Sequence, residues 1–268
     1  MSKTRDRIEG MEAPLYLFKV FTDDLSKGNP AACALFSEWP QTDVLQRIAY
    51  EARQVVTAFV VPAAQPQQYQ IRWFSCQQEI NLCGHGTLAA AALLRQLKGS
   101  GHYQFFSDCG DLEVTASAEA LVMRLPQWRS VSVNTPYALT TYQPVECFQT
   151  RDLVLVLPDE QAVRQFQPDM QQIRQLPQHA LIVTAFRAPD SYVLRYFAPA
   201  IGIDEDIATG SAQCSLAPYW AAKTALAELK VQQLSAIPAD FAVFIKSQQL
   251  YLKTQAVPCP YLTESTMT

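Results

Sequence analysis

The chain lacks most of the runs and clusters that mark specialised proteins. No apolar stretch approaches the ~20 residues that cross a bilayer, and the opening residues lack the basic-then-apolar order of a secretory signal, so a cytoplasmic location is expected. Basic residues are too few and too scattered for a nucleic-acid surface, since 21 Lys and Arg stand against 25 Asp and Glu, a formal charge of -4. Close cysteine pairs are also missing. The seven cysteines (Cys33, Cys76, Cys83, Cys109, Cys147, Cys214 and Cys259) have neither zinc-site spacing nor disulfide-scaffold density, which predicts mostly reduced, mostly buried thiols. Without a P-loop, a dinucleotide GxGxxG or a cluster of metal ligands, the expected partner is a small molecule bound with no metal and no organic cofactor.

Glycine and histidine are scarce, at nine and three residues, which makes the stretch NLCGHGTLAAAA at 81–92 conspicuous. Its alanines, with Leu88, Leu93 and Leu94, predict a helix too apolar to face water. That helix opens on Gly84, His85, Gly86 and Thr87. The first N–H groups of a helix have no partner within it and carry the positive end of its dipole, so a glycine-led entry admits an anion to bare backbone. His85 titrates near neutrality, and a helix N-terminus should lower its pKa. Cys83 stands just before the glycine, and a thiol at a helix N-terminus has a depressed pKa and can act as a base. The other histidines, His102 and His179, have no acidic or nucleophilic neighbour in a motif and are read as structural.

The pattern occurs twice. IRWFSCQQEINLCGHGTLAAAALL from Ile71 and LRYFAPAIGIDEDIATGSAQCSLAPYWAAK from Leu194 share an apolar-Arg-aromatic-Phe run, an acidic loop, a glycine turn and an alanine-rich helix. Strand-like runs surround each copy, and TDVLQRIAYEAR reads as an amphipathic helix with Val44, Leu45, Ile48 and Ala52 on one face. The expected architecture is α+β: two pseudo-symmetric lobes, each a sheet or barrel wrapped around a central helix. Residues 1–10 are set aside as a polar tail, 11–125 form the first lobe and 126–268 the second, with the boundary near Pro126. Pro218 should kink or shorten the second helix, expected to begin at Thr209. Should the lobes face each other, both helix starts would meet in one cleft, Gly84 and His85 from one lobe and Gly210 and Ser211 from the other, and so hold a carboxylate or stabilise charge beside it.

The runs GNPAACAL, INLCGHGTLAA, FAPAIGIDEDIATGSAQCSLAPYW and QLSA, in that order between about Tyr16 and Val257, resemble the phenazine-biosynthesis isomerase (PhzF-like) family. The resemblance implies a diaminopimelate epimerase fold, a small and often cyclic carboxylic acid in the cleft, proton transfer without a cofactor, and frequent homodimers. Matching positions make His85 and Asp206 the acid-base contacts, choosing Asp206 over Asp204 and Glu205, and make Gly84, Gly210, Ser211, Thr209 and Asn29 the substrate-holding positions. In cofactor-independent epimerases of this fold a cysteine precedes the glycine turn of each lobe; the register puts Cys83 at one such place and Thr209 at the other.

One match fails. Where the family carries its proton-shuttling glutamate in SET-A-F, this chain reads VVTAF, with Val55 and Val56 for Ser and Glu. Losing a general acid or base typically costs ~10²–10⁴-fold. The ARGG-like turn is Ala236-Ile237-Pro238-Ala239, the usual acid of the first strand is Lys19, and the aromatic before GNP is Ser26. Three readings follow: an isomerase with a different base, a catalytically degenerate carboxylate-binding protein, and an interaction subunit that neither binds nor turns over a carboxylate.

Overall fold

Apolar runs such as TAFVV and LVLV have the composition of strands covered on both faces. In the computed structural model, which describes residues 13–135 and 143–259, they are packed with the alanine-rich helices into two compact units. The first consists of the described residues up to Leu25, Asn29–Met123 and Gln255 onward; the second of Ser26–Gly28 and Arg124–Thr254. The tail at residues 1–10 lies outside the described residues.

In the first unit the chain runs β1 (Tyr16–Val20), β2 (Asn29–Leu35), α1 (Thr42–Ala52), β3 (Thr57–Pro62), β4 (Gln68–Phe74), the short β5 (Glu79–Ile80), α2 (Gly84–Lys98), β6 (Gly101–Ser107), β7 (Gly110–Ala116) and β8 (Leu121–Leu125). Successive pairings from β1–β2 to β7–β8, skipping β5, are antiparallel, parallel, antiparallel, parallel, antiparallel, antiparallel. Each parallel pair needs a crossover, supplied by α1 and then α2.

The second unit repeats this order. After β9 (Val131–Ser132) come β10 (Glu146–Gln149), β11 (Leu153–Val156), α3 (Glu160–Gln165), α4 (Met170–Arg174), β12 (Leu181–Arg187), β13 (Ser191–Phe197), α5 (Gln213–Thr224), β14 (Glu228–Gln233), β15 (Ala239–Lys246) and β16 (Gln249–Thr254). Pairings from β10–β11 to β15–β16 follow the same sequence of directions. The α+β class and the internal duplication are both evident. A single boundary at Pro126 does not describe the division, because β17 (Ala256–Pro258) pairs antiparallel with β1 and returns the end of the chain to the first unit.

The helices follow their sequence patterns. On α1, Leu45, Ile48, Ala49 and Ala52 are buried, the first three against Phe36, Phe59 and Phe74. Every residue of α2 from Gly86 to Leu94 is buried, and the Cys33 thiol of β2 donates to the Ala89 carbonyl at 3.5 Å. Two expectations for the second copy need correction. Thr209 does not open an α-helix: a 3₁₀ turn, Gly210–Ala212, precedes α5, which starts at Gln213. Nor does Pro218 cut the helix short, since α5 runs through it. Proline has no N–H for the carbonyl of Cys214 four residues earlier, and the backbone N–H of Trp128 takes that carbonyl at 2.9 Å.

Candidate active site

The first copy of the motif builds a rigid helix start. The Cys83 carbonyl accepts both the backbone N–H and the hydroxyl of Thr87, at 3.1 and 2.8 Å, while the indole N–H of Trp73 on β4 donates to the Thr87 hydroxyl oxygen at 3.1 Å. Trp73 lies so close to the helix that only glycine fits at position 86: a Cβ there would sit 2.8 Å from Trp73 Cδ1 and 3.4 Å from Val56 Cγ1. At Gly84 a Cβ would meet nothing within 4 Å, so the first helical residue faces open space. Between these glycines, His85 turns Nδ1 toward the Cys83 sulfur at 3.3 Å. Its Nε2 is buried and has no hydrogen-bond partner among the described residues. Burial lowers the imidazole pKa from 6.5 to about 4, keeping it neutral at pH 7; the direction matches the one expected from the helix dipole, but the cause is desolvation.

Around the second helix start the three acids separate. Glu205 takes both Nε and Nη2 of Arg195, at 2.7 and 2.9 Å, and Asp204 is largely exposed, 4.0 Å from Arg174. Asp206 instead accepts the Thr209 hydroxyl at 2.6 Å. The buried side chain of Gln233 fastens this turn, donating to the Asp206 carbonyl at 2.7 Å and accepting the Thr209 backbone N–H at 2.8 Å. Gly210 and Ser211 follow directly. Asn29 is fully buried at the first position of β2, after Gly28, whose φ of 76° is a glycine conformation. Cys83 and His85 are thus brought together in the first unit, and Asp206 and Thr209 in the second.

The duplication also explains residues outside chemistry. Arg72 on β4 holds Glu79 through Nε and Nη2, at 2.7 and 2.6 Å, and lies 5.2 Å from the Phe74 ring centre. Arg195 on β13 does the same with Glu205 and Phe197, at 4.9 Å from the ring. Glu79 is thereby occupied by its arginine. His102 Nδ1 is bonded to the Thr115 hydroxyl at 3.1 Å, a structural contact.

Sequence reasoning missed a cluster beside Ser211. Arg151 forks onto the fully buried Asp152 at 3.1 and 3.2 Å, donates to the hydroxyls of Tyr196 and Ser211 at 3.1 and 3.3 Å, and lies 4.6 Å from the Trp128 ring centre. Adjacent Arg and Asp at a turn read as solvated charge; only the apolar run that follows hinted at burial. A cavity of about 520 Å³ along α5, lined by Trp128, Ser215, Tyr219 and Lys223 among others, contains none of the candidate residues.

The family model described as phenazine biosynthesis-like protein, PhzC-PhzF, matches residues 18–257. An uncharacterized isomerase of Vibrio cholerae is 40% identical over 230 residues, covering 85% of this chain and 82% of its own. A solved phenazine biosynthesis protein of the PhzF family from Enterococcus faecalis is 32% identical with a TM-score of 0.84, over 93% of this chain and 98% of that one. The hydroxyproline epimerase of Agrobacterium vitis, 8% identical, shares the fold with a TM-score of 0.59 over 92% of this chain and 91% of its own.

Proposed function

We propose that this chain, which belongs to the phenazine biosynthesis-like PhzC/PhzF family of isomerases, binds a small carboxylic acid and moves a proton between two of its carbons. The observation that carries this reading is His85 Nε2, buried and unpartnered at the start of α2 beside a glycine facing open space. A buried polar atom without a partner costs about 1–3 kcal/mol, a cost tolerated where a ligand supplies the missing bond. In this reading Asp206, oriented by Thr209, takes the proton as a C–H bond breaks. The electron pair shifts toward the carboxyl group, where Gly84 and the backbone N–H groups of the helix start meet the developing charge. Returning the proton to a second carbon completes an isomerisation with no redox step and no cofactor. Gly210, Ser211 and Asn29 hold the substrate. The reading takes the protein to act in the cytoplasm as a homodimer, which sedimentation would check.

Val56 favours a second reading. It stands where the family resemblance expects glutamate, is fully buried, and packs beside Gly86, so position 56 brings no carboxylate to the first helix start. A binding protein that keeps its affinity and has lost proton transfer would look the same. Proton NMR in D2O of a panel of cyclic carboxylic acids, 2-aminobenzoate analogues and amino acids separates the two. Protein-dependent loss of a carbon-bound proton signal supports the isomerase, while binding without exchange, with exchange gained in Val56→Glu, supports the degenerate protein.

A further inference from the structure

Cys83 and His85 form a pair that the isomerase reading uses only in part. The sulfur lies 3.3 Å from Nδ1, in a residue whose carbonyl is doubly held by Thr87 and through it by Trp73. The imidazole has only two places for hydrogen bonds. One is taken by the thiol, and the other, Nε2, is sealed from solvent without a partner among the described residues.

We infer that Cys83 is a positioning residue: its thiol donates to Nδ1, fixes the neutral His85 tautomer with the proton on Nε2, and so makes Nε2–H a donor for a ligand oxygen. Three arrangements compete. A thiolate-imidazolium pair needs a charged ring, which burial opposes. A neutral ring protonated on Nδ1 would use sulfur as acceptor, for which it is weak, and would leave a bare Nε2 lone pair facing the ligand. The third, S–H donating to Nδ1, uses the better acceptor and leaves a donor, which suits the oxygens of a carboxylic acid. The choice of ligand class rests on the isomerase reading; the tautomer does not. It follows that His85 polarises and orients, and that Cys83 never exchanges a proton with substrate.

The full chain labelled with ¹⁵N-histidine tests this at pH 7. Two-bond proton–nitrogen correlations should show His85 protonated at Nε2 and bare at Nδ1. Cys83→Ser, which keeps a donor, should preserve the pattern, and Cys83→Val, of similar volume without one, should mix or reverse it. Protonation at Nδ1 in the unaltered protein, or an unchanged pattern in Cys83→Val, would overturn the inference. Saturating 2-aminobenzoate should then shift the Nε2 proton, and no shift would overturn its role as a ligand donor. Failure of the isomerase reading would be seen separately, as absence of proton exchange with the tautomer intact.

Discussion

The Thr209 hydroxyl donates to the Asp206 carboxylate at 2.6 Å, and both residues are tied through their backbones to the side chain of Gln233. A carboxylate that takes a carbon-bound proton, as proposed for Asp206, needs this restraint, because a misplacement of about 1 Å can cost ~10²-fold. Thr209→Val removes the donor and should lower the proton-exchange rate by about 10-fold or more, whereas Thr209→Ser should stay near the original rate. NMR exchange rates in D2O for the two variants check this.

His85 makes stability sensitive to mild acid. Its folded pKa is about 4 against an ordinary 6.5, so between these values the unfolded chain takes up a proton that the folded chain refuses. Stability from this group is therefore full above pH 6.5 and is lost as the pH falls toward 4. Between pH 7.5 and 5.5 the loss should be about 1 kcal/mol. Urea midpoints at both pH values should differ for the unaltered protein and differ less in His85→Gln.

The two glycines of the first helix start should respond oppositely to alanine. At position 86 the new methyl group collides with Trp73, which is nearly fully buried and fixed by its bond to Thr87, so Gly86→Ala should cost about 1–3 kcal/mol. Gly84→Ala meets no atom and should leave the urea midpoint unchanged or raise it, while weakening 2-aminobenzoate binding measured by calorimetry.

Much of this architecture is legible in the sequence because it is written twice. The Arg-aromatic-Phe run predicts two equivalent strands, and Arg72 and Arg195 make equivalent bonds to Glu79 and Glu205. The apolarity of Leu88–Leu94 announces a buried helix, and α2 is one. What stays hidden depends on partners distant in the chain. Pro218 reads as a helix breaker because the sequence does not show that Trp128 will supply the missing N–H. Arg151 and Asp152 read as surface charge until Tyr196 and Ser211 are brought to them. Val56 is informative in the sequence only by resemblance; its full burial beside Gly86 shows why an aliphatic side chain is stable there.

Burying Asp152 beneath Arg151 has a further cost if the pair is broken. Asp152→Asn leaves the guanidinium without its counter-charge, and because Arg151 reaches solvent the loss should be about 2 kcal/mol, below the 3–5 kcal/mol of a fully buried pair. Thermal or urea denaturation at pH 7 measures it.

The claim that matters most is that Asp206 moves a carbon-bound proton. It is tested most directly by the deuterium content, read by mass spectrometry, of a carboxylic acid recovered from D2O after incubation with the protein and with Asp206→Asn. Protein-dependent incorporation is expected, falling at least about 100-fold in the variant. Incorporation at an unchanged rate in a folded Asp206→Asn would contradict it.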